Sequence, residues 1–320
     1  MTRELSAPPL LIGLGAGLAS ALLFAALVGG TVLALPLFLL APLPLGIAAL
    51  GWGTRTGLLA TGVAVVALWA GLGMPATISF LLADAAPILV GAHLLGLARL
   101  GDPDDPASRE WYPLGRVLLA LAGTVAVATV IGGVAIGFDP QETAAQVSAA
   151  FHHMTSGGPT APVPAPDAVR VDPMVQATVR LMPAFFPASW LMVVIFDLWA
   201  ATKVVARSGR LTRPAEDAAA VELPVGAGLA LAATLAAAFL DGTIGLLASV
   251  VAGALFATHF LVGAGVIHTL ARRSEARIII LAVVWGLVLL FTLPVAAVAL
   301  VGLLEPHLGL RRRRSSAGPS

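Results

Sequence analysis

The residues best able to do chemistry in this sequence are charged side chains inside long apolar segments. Asp84 stands in the run Leu82-Ala83-Asp84-Ala85-Ala86-Pro87, about 12 Å from the nearer end of its predicted helix. An ionised side chain at the bilayer centre costs about 2.5–3.5 kcal/mol on insertion scales, so it usually faces the bundle interior or water. Pro87 leaves a backbone carbonyl nearby without its helical donor. We expect Asp84 to face an internal, partly hydrated cavity, either as a ligand-binding group or as a structural partner of another helix.

A second carboxylate, Asp197, lies six residues before Lys203, which places it about 9 Å from the membrane interface. Pro183 and Pro187 precede it in the same segment, and their spacing of four residues predicts a break into two half-helices. Transporters often build a mid-membrane site from such interrupted helices. Asp197 is therefore a further candidate for substrate binding. Trp190, in the same segment, is another.

Three histidines inside the apolar segments are also candidates for substrate binding. His93 follows Asp84 by nine residues and so lies on the opposite face of the same helix. His259 stands midway along a later segment, where it is the first partner to test for Asp84, and His268 lies near that segment's end. A lone helical histidine is more often a packing residue than a ligand, so both roles stay open for each. His152-His153-Met154 gives only a weak metal signal because adjacent histidines diverge on a helix, and no metal site is expected.

Small residues recur at every fourth position of the first apolar segment, at Gly13, Gly17, Ala21, Ala25 and Gly29. Such a stripe lets another helix approach closely, from this chain or from a partner subunit. Alanine and glycine are common throughout the chain, so a run of this kind also arises by chance.

Composition decides the class of protein. Of the 320 residues, 58% are hydrophobic and only 11% are charged, with a mean hydropathy of +0.96. A soluble domain carries about 25% charged residues, so this chain belongs in a membrane. There is no cysteine, which excludes thiolate metal sites, disulfides and thiol nucleophiles.

Enzyme motifs are missing from the sequence. It contains no phosphate-binding glycine-rich loop ending in Lys-Ser/Thr, no His-Glu-x-x-His and no Gly-x-Ser-x-Gly, and no acidic pair lies within one segment at a spacing suited to acid–base catalysis. We therefore expect no ATPase activity of its own, no cofactor and no nucleic-acid partner, and we treat an intramembrane enzyme as the minor alternative.

Nine segments have spanning length, at roughly 20 residues for the hydrocarbon core, and in lipid such segments fold as helices. The prediction is an all-α polytopic protein of about nine, or eight to ten, transmembrane segments with kinked proline- and glycine-rich helices. The segments are Pro8–Gly29, Thr31–Leu50, Gly57–Leu72, Ala76–Leu97, Leu114–Phe138, Met174–Thr202, Pro224–Leu240, Ile244–Leu270 and Ile278–Leu304.

The distribution of arginine predicts the orientation. A cytoplasmic N-terminus places twelve of the 18 basic residues on the inner side and only Arg170 and Arg180 on the outer side, as in a bacterial inner-membrane protein. Nine crossings would leave Arg311–Arg314 outside. Because Pro294 interrupts the last segment, we favour two short crossings or a re-entrant hairpin there, which returns the tail to the cytoplasm.

We expect one integral membrane domain over residues 1–310, followed by a basic disordered tail at 311–320. An outer loop covers 139–173, and inner loops cover 98–113 and 204–222. Asp139-Pro140-Gln141-Glu142 has the order of a helix start, so a short helix should begin there and end before Ser156. The arginines of the 204–222 loop are suited to anionic lipid headgroups.

Several local patterns resemble an uncharacterised bacterial family of predicted membrane proteins, domain of unknown function 2232, over nearly the whole chain. The block Ser208-Gly209-Arg210-Leu211-Thr212-Arg213-Pro214 is the most specific. The others are Asp197-Leu198-Trp199, Glu216-Asp217, Leu223-Pro224, Gly302-Leu303-Leu304-Glu305, Leu310-Arg311-Arg312, Pro36 and Pro42-Leu43-Pro44. The family's core is similar to the substrate-capturing subunits of energy-coupling-factor vitamin transporters, which lack an ATPase and dock through small-residue stripes. The resemblance implies a small-molecule ligand, a partner membrane subunit and an energising ATPase.

The first functional expectation is a substrate-binding or transport-like inner-membrane subunit for a small molecule, without its own ATPase. The alternative is a non-transporting envelope scaffold or assembly protein. A pocket lined by a few polar groups inside the bundle distinguishes the two.

Overall fold

The computed structural model describes residues 7–102, 105–154, 172–215, 217–272 and 274–311. Its helices are α1 (Ala7–Ala25), α2 (Ala34–Leu39), α3 (Leu43–Trp52), α4 (Thr54–Leu72), α5 (Met74–Phe80), α6 (Ala86–Leu95), α7 (Leu114–Ala135), α8 (Pro140–His152), α9 (Pro173–Arg207), α10 (Gly226–Ala237), α11 (Gly242–Ala271), α12 (Arg277–Leu290) and α13 (Thr292–Leu308). Seven segments are long and apolar enough to cross a membrane, and α10, α12 and α13 are shorter apolar helices. The described chain is thus a multi-pass helical membrane protein, as its composition predicts.

The core of the bundle lies between α3, α4, α6, α7 and α9. Phe80, Ile88, Leu121 and Leu191 are almost completely buried there, and small residues of neighbouring helices fill the gaps between them. Elsewhere many large apolar side chains are exposed, as lipid-facing surfaces require.

The last predicted segment folds as a hairpin of two helices. Between α12 and α13 the backbone becomes extended at Phe291 (φ −137°, ψ 144°), just before Pro294. Arg311, after α13, donates from Nη1 to the carbonyl oxygen of Ala219 over 2.8 Å. The chain at Arg311 therefore lies on the same side as the 204–222 loop, as the hairpin alternative predicts. The predicted disordered tail lies, beyond Arg311, outside the described residues.

The prediction that the sixth segment breaks in two is wrong, because α9 is continuous over 35 residues and contains both prolines. Pro183 and Pro187 lie four residues apart and are both buried, so the lost backbone bonds fall on one face while the other face keeps its ladder. At this face α11 packs closely, since a Cβ on Gly253 would lie 1.9 Å from the Ala184 carbonyl oxygen. Packing against a neighbouring helix is what makes prolines tolerable inside a membrane helix.

The 98–113 loop contains a β-hairpin that sequence analysis missed. Strands β1 (Ala98–Asp102) and β2 (Asp105–Trp111) pair antiparallel with Arg99 opposite Glu110. Arg99 Nε donates to Glu110 Oε2 over 2.6 Å. This cross-strand ion pair is exposed and stabilises the hairpin. The two strands are polar and lack alternating hydrophobic residues, so the sequence pattern does not predict them.

The small-residue stripe of α1 packs partly within the chain. A Cβ on Gly17 would lie 2.3 Å from a backbone oxygen of α4, and Gly13 faces a leucine of the same helix, while Ala21 is buried. Ala25 is half-buried, whereas Gly29 is exposed with open space at its Cβ position. The first half of the stripe therefore joins α1 to α4 of the same chain.

Two faces of the bundle differ in charge. We call one the arginine-rich face. It contains the α3–α4 turn, the β-hairpin, the 208–222 segment and the ends of α11 and α13, which are joined by contacts of Arg210, Arg213, Arg272 and Arg311. The other face contains α8, where the Asp139 carboxylate accepts from the backbone N–H groups of Gln141 and Glu142, as predicted for a helix start. Residues 155–171 of the predicted outer loop lie outside the described residues.

Candidate functional site

Asp84 lies in a π-helical turn, Leu81–Ala85, between α5 and α6. The turn closes with a bond from the Ala86 N–H to the Leu81 carbonyl, five residues back. Pro87 explains why the hydrogen bonding changes here from four residues back to five, because proline has no N–H to donate to the preceding turn. Single π turns inside helices often occur at functional sites.

Trp190 of α9 replaces the donor that Pro87 lacks. Its indole Nε1 donates to the Ala83 carbonyl oxygen over 2.7 Å, across 107 residues of sequence. The indole is held by Phe38, with ring centres 5.7 Å apart, and is stacked on Phe186 at 6.1 Å. Trp190 is a candidate for substrate binding from its sequence position, and its indole is in contact with the backbone beside Asp84.

The same face of α9 brings Asp197 to Asp84. Asp197 follows Trp190 by seven residues, so it lies on the same face of α9, about 10 Å further along the helix. The Asp84 and Asp197 side chains are both 0% exposed and lie close enough for their charges to interact. Within the described residues, none of their four carboxylate oxygens has a hydrogen-bond partner. We call these two residues the carboxylate pair.

The surroundings of the carboxylate pair are apolar and closely packed. Ile88, Leu191 and Val194 are each 0% exposed, and Leu198 packs against Gly91, where a Cβ would lie 2.7 Å from its Cδ2 atom. Asp84 therefore points into the bundle and away from lipid. The pair is enclosed by side chains and lines neither of two cavities among the described residues, one apolar between α7, α10 and α11 and one polar at the arginine-rich face. The partly hydrated cavity expected at Asp84 is therefore not found in the described part of the chain, where this side chain is 0% exposed.

The expectation that His259 is the partner of Asp84 is wrong. His259 Nδ1 lies 2.8 Å from the Leu255 carbonyl oxygen of its own helix, and its backbone faces Gly302 of α13. His268 makes the equivalent contact, 2.9 Å from Nδ1 to the Ala264 carbonyl oxygen. Both rings are bonded to the preceding turn of α11, which is how packing histidines are satisfied in a helix.

His93 lies apart from the carboxylate pair, as its helical position predicts. Its Nδ1 is 3.2 Å from Thr54 Oγ1 at the arginine-rich face. The six predicted binding residues thus divide into three groups. Asp84, Trp190 and Asp197 lie where α9 packs against the π turn and α6, His259 and His268 lie along α11, and His93 lies at the arginine-rich face.

The meeting of the two aspartates is the feature that sequence reasoning missed. Asp84 follows the α5 start at Met74 by ten residues, and Asp197 precedes the α9 end at Arg207 by ten. Both therefore lie about 15 Å from a helix end. These helix ends come from the structure, and no local pattern in the sequence specifies that the helices of Asp84 and Asp197 are neighbours.

Outside the membrane-spanning helices, ion pairs fix the arginine-rich face. Arg272 Nη2 donates to Asp217 Oδ1 over 2.7 Å, and this bond, with further help from the Ala219 N–H, lowers the pKa of Asp217 to about 2. Glu305 accepts from the Leu310 N–H, from the Arg311 N–H and from Arg311 Nε, each over 3.1 Å. These contacts join α11 and α13 to the 204–222 loop.

Fold and site together define a polytopic helical membrane protein with two buried carboxylates that have no hydrogen-bond partner among the described residues. No protein-family model, curated protein or solved structure matches this chain. The resemblance to domain of unknown function 2232 stays a prediction.

Proposed function

We propose that this chain is a substrate-binding or transport-like membrane protein that acts on a small molecule and uses the carboxylate pair as a proton site. The observation that carries the proposal is the complete burial of Asp84 and Asp197, near enough for their charges to interact, with no hydrogen-bond partner for either carboxylate among the described residues. The location that goes with it is a bacterial inner membrane, with the arginine-rich face in the cytoplasm.

The energetics of burial argue against a purely structural role. Two ionised carboxylates lose their hydration in an apolar core and also repel each other, so at least one must gain a proton or a cation. Replacing buried charged groups by apolar residues is often neutral or stabilising, so a scaffold protein gains no stability from the carboxylate pair. A proton is the cation that needs no additional space among Ile88, Leu191 and Val194.

The carboxylate pair also bears on the source of energy. A capture subunit would depend on a partner membrane subunit with an ATPase, whereas a protonatable pair at mid-membrane is the device of ion-driven transport. The proposal therefore favours a proton gradient over an ATPase partner.

Infrared spectroscopy of the purified full chain tests the proton directly. We expect a protonated carboxyl C=O band at neutral pH that shifts when aspartate is labelled with carbon-13. The band should be lost in Asp84→Asn and in Asp197→Asn, and unchanged in the control Asp241→Asn, whose carboxylate is exposed before α11. A wild-type spectrum without this band would overturn the proton site.

Native purification followed by mass spectrometry tests the transport role. We expect a small molecule to copurify and to enter proteoliposomes under an imposed pH gradient, with uptake lost in Asp84→Asn but kept in Asp241→Asn. Copurification of an ATPase, with uptake that requires ATP, would replace the proton gradient as the energy source. Copurification of envelope proteins alone, with no bound small molecule, would favour the scaffold alternative.

Cysteine labelling tests the orientation, because the natural chain has no cysteine. Gln141→Cys lies in the first turn of α8, and Ser274→Cys lies between α11 and α12. In intact cells an impermeant maleimide should label only Gln141→Cys. The reverse pattern would place the arginine-rich face outside.

A further inference from the structure

A polar cavity of about 590 Å³ opens at the arginine-rich face, away from the carboxylate pair. It lies between the α3–α4 turn, the end of α6 and the Arg210–Arg213 segment. Its polar lining residues are Thr54, His93, Arg210, Thr212 and Arg213. Among the described residues that line it, two are arginines and none is an aspartate or glutamate.

The two arginines of the cavity are held in defined positions. The Arg210 guanidinium lies 4.6 Å from the centre of the Trp52 ring, in a cation–π contact. Arg213 is 8% exposed, and its Nη1 donates to the Tyr112 carbonyl oxygen over 3.0 Å. The Trp52 ring and the Tyr112 carbonyl thus help to position the two guanidinium groups at the cavity.

The start of α4 adds a third source of positive potential. Gly53 precedes this 19-residue helix with φ +93°, and no side chain caps the helix start. Thr54, the first residue of α4, lines the cavity and contacts His93. The first N–H groups of a helix and its dipole favour anions at this end.

We propose that this cavity binds a phosphoryl group carried by a larger molecule. Guanidinium groups and helix starts are the recognition elements that proteins use for phosphate, because they match its charge and its several acceptor oxygens. The volume exceeds that of a phosphate ion and falls in the range of about 300–1,000 Å³ typical of ligand pockets. A phospholipid headgroup and a free phosphorylated solute share this chemistry, and the proposal stands independently of the proton site.

The test uses the full chain purified in an uncharged detergent, with one arm for each source. In the soluble arm, glycerol 3-phosphate is titrated against the protein and compared with glycerol at equal ionic strength. In the lipid arm, native mass spectrometry counts the phosphatidylglycerol retained in comparison with a diacylglycerol of the same chains. Saturable binding in the soluble arm identifies a free solute, and retention only in the lipid arm identifies a headgroup; either result supports the proposal.

Arg210→Gln should weaken binding at least about tenfold, because it removes a charge-assisted hydrogen-bond donor. Arg210→Lys should give an intermediate loss, since it keeps the charge but not the planar fork. The matched control is Arg207→Gln, which removes one exposed charge three residues away and outside the cavity lining, and it should change affinity less than about twofold. Equal losses in Arg210→Gln and Arg207→Gln, or no saturable binding in either arm, would overturn the proposal.

Discussion

The bond between Trp190 and the Ala83 carbonyl makes a sharp prediction, because it exists only where Pro87 has removed the normal donor. Trp190→Phe removes the indole N–H and keeps an aromatic ring beside Phe38. Ala83 is half-buried, so a carbonyl left without its partner there should cost up to about 1–3 kcal/mol, and we expect the free energy of unfolding to fall accordingly. The smaller ring also packs less well, and a second substitution distinguishes this loss of packing from the loss of the hydrogen bond.

Pro87→Ala supplies the missing N–H four residues after Ala83, where an α-helix places the donor for that carbonyl. In this background Trp190→Phe should lose only the packing contribution. The difference between the two backgrounds is the coupling energy of a double-mutant cycle, and we expect it to reach about 1 kcal/mol or more.

Equilibrium unfolding in mixed micelles, followed by far-ultraviolet circular dichroism, measures all four proteins. Trp285→Phe is the matched control, since its indole packs against Phe260 of α11 at 6.2 Å and lies away from Pro87. Its cost should be the same with and without Pro87. An equal cost of Trp190→Phe in both backgrounds would refute the inference that this indole compensates for the proline.

Two further predictions concern helix packing and pH. Gly302→Ala should destabilise the protein by about 1–3 kcal/mol or more, because its Cβ would lie 1.9 Å from the His259 carbonyl oxygen. Gly286→Ala meets open space and should be neutral or up to about 1 kcal/mol stabilising; equal effects of the two in thermal unfolding would contradict this packing. Asp217, with its pKa lowered from 3.8 to about 2 by its bond to Arg272, stabilises the folded state above about pH 4, and this contribution disappears as the pH falls through 2. The melting temperatures of wild type and Asp217→Asn should therefore differ slightly at pH 6 and converge towards pH 2, whereas a constant difference would show that the charge is unimportant.

The apolar helical segments and some of their ends follow from local sequence, whereas the meeting of helices does not. Asp139 and the residues after it carry a complete start signal for α8, and the structure has the helix where that signal predicts. Pro87 likewise predicts a free carbonyl at Ala83, although nothing local indicates that Trp190 binds it across 107 residues. The site could be predicted as separate polar residues in apolar helices, but its geometry depends on tertiary packing.

The errors have a common physical origin in neighbouring helices and strands. Pro183 and Pro187 would break an isolated helix, yet α9 is continuous because Gly253 of α11 lets a second backbone support it. The polar β-hairpin depends on pairing between strands, of which the Arg99–Glu110 ion pair is one part. Proline content and hydropathy describe one segment at a time, so they do not predict stabilisation by a neighbouring helix or strand.

The contact of Arg311 with the 204–222 loop has a consequence for the order of synthesis. The Ala219 carbonyl leaves the ribosome 92 residues before the guanidinium that it binds. At about 5–20 residues per second, the loop spends roughly 5–18 s without that donor. During this interval α10 to α13 must enter the membrane while the loop relies on interfacial water. The arginine-rich face is therefore completed late, when α13 brings Arg311 back to a loop that was made four helices earlier.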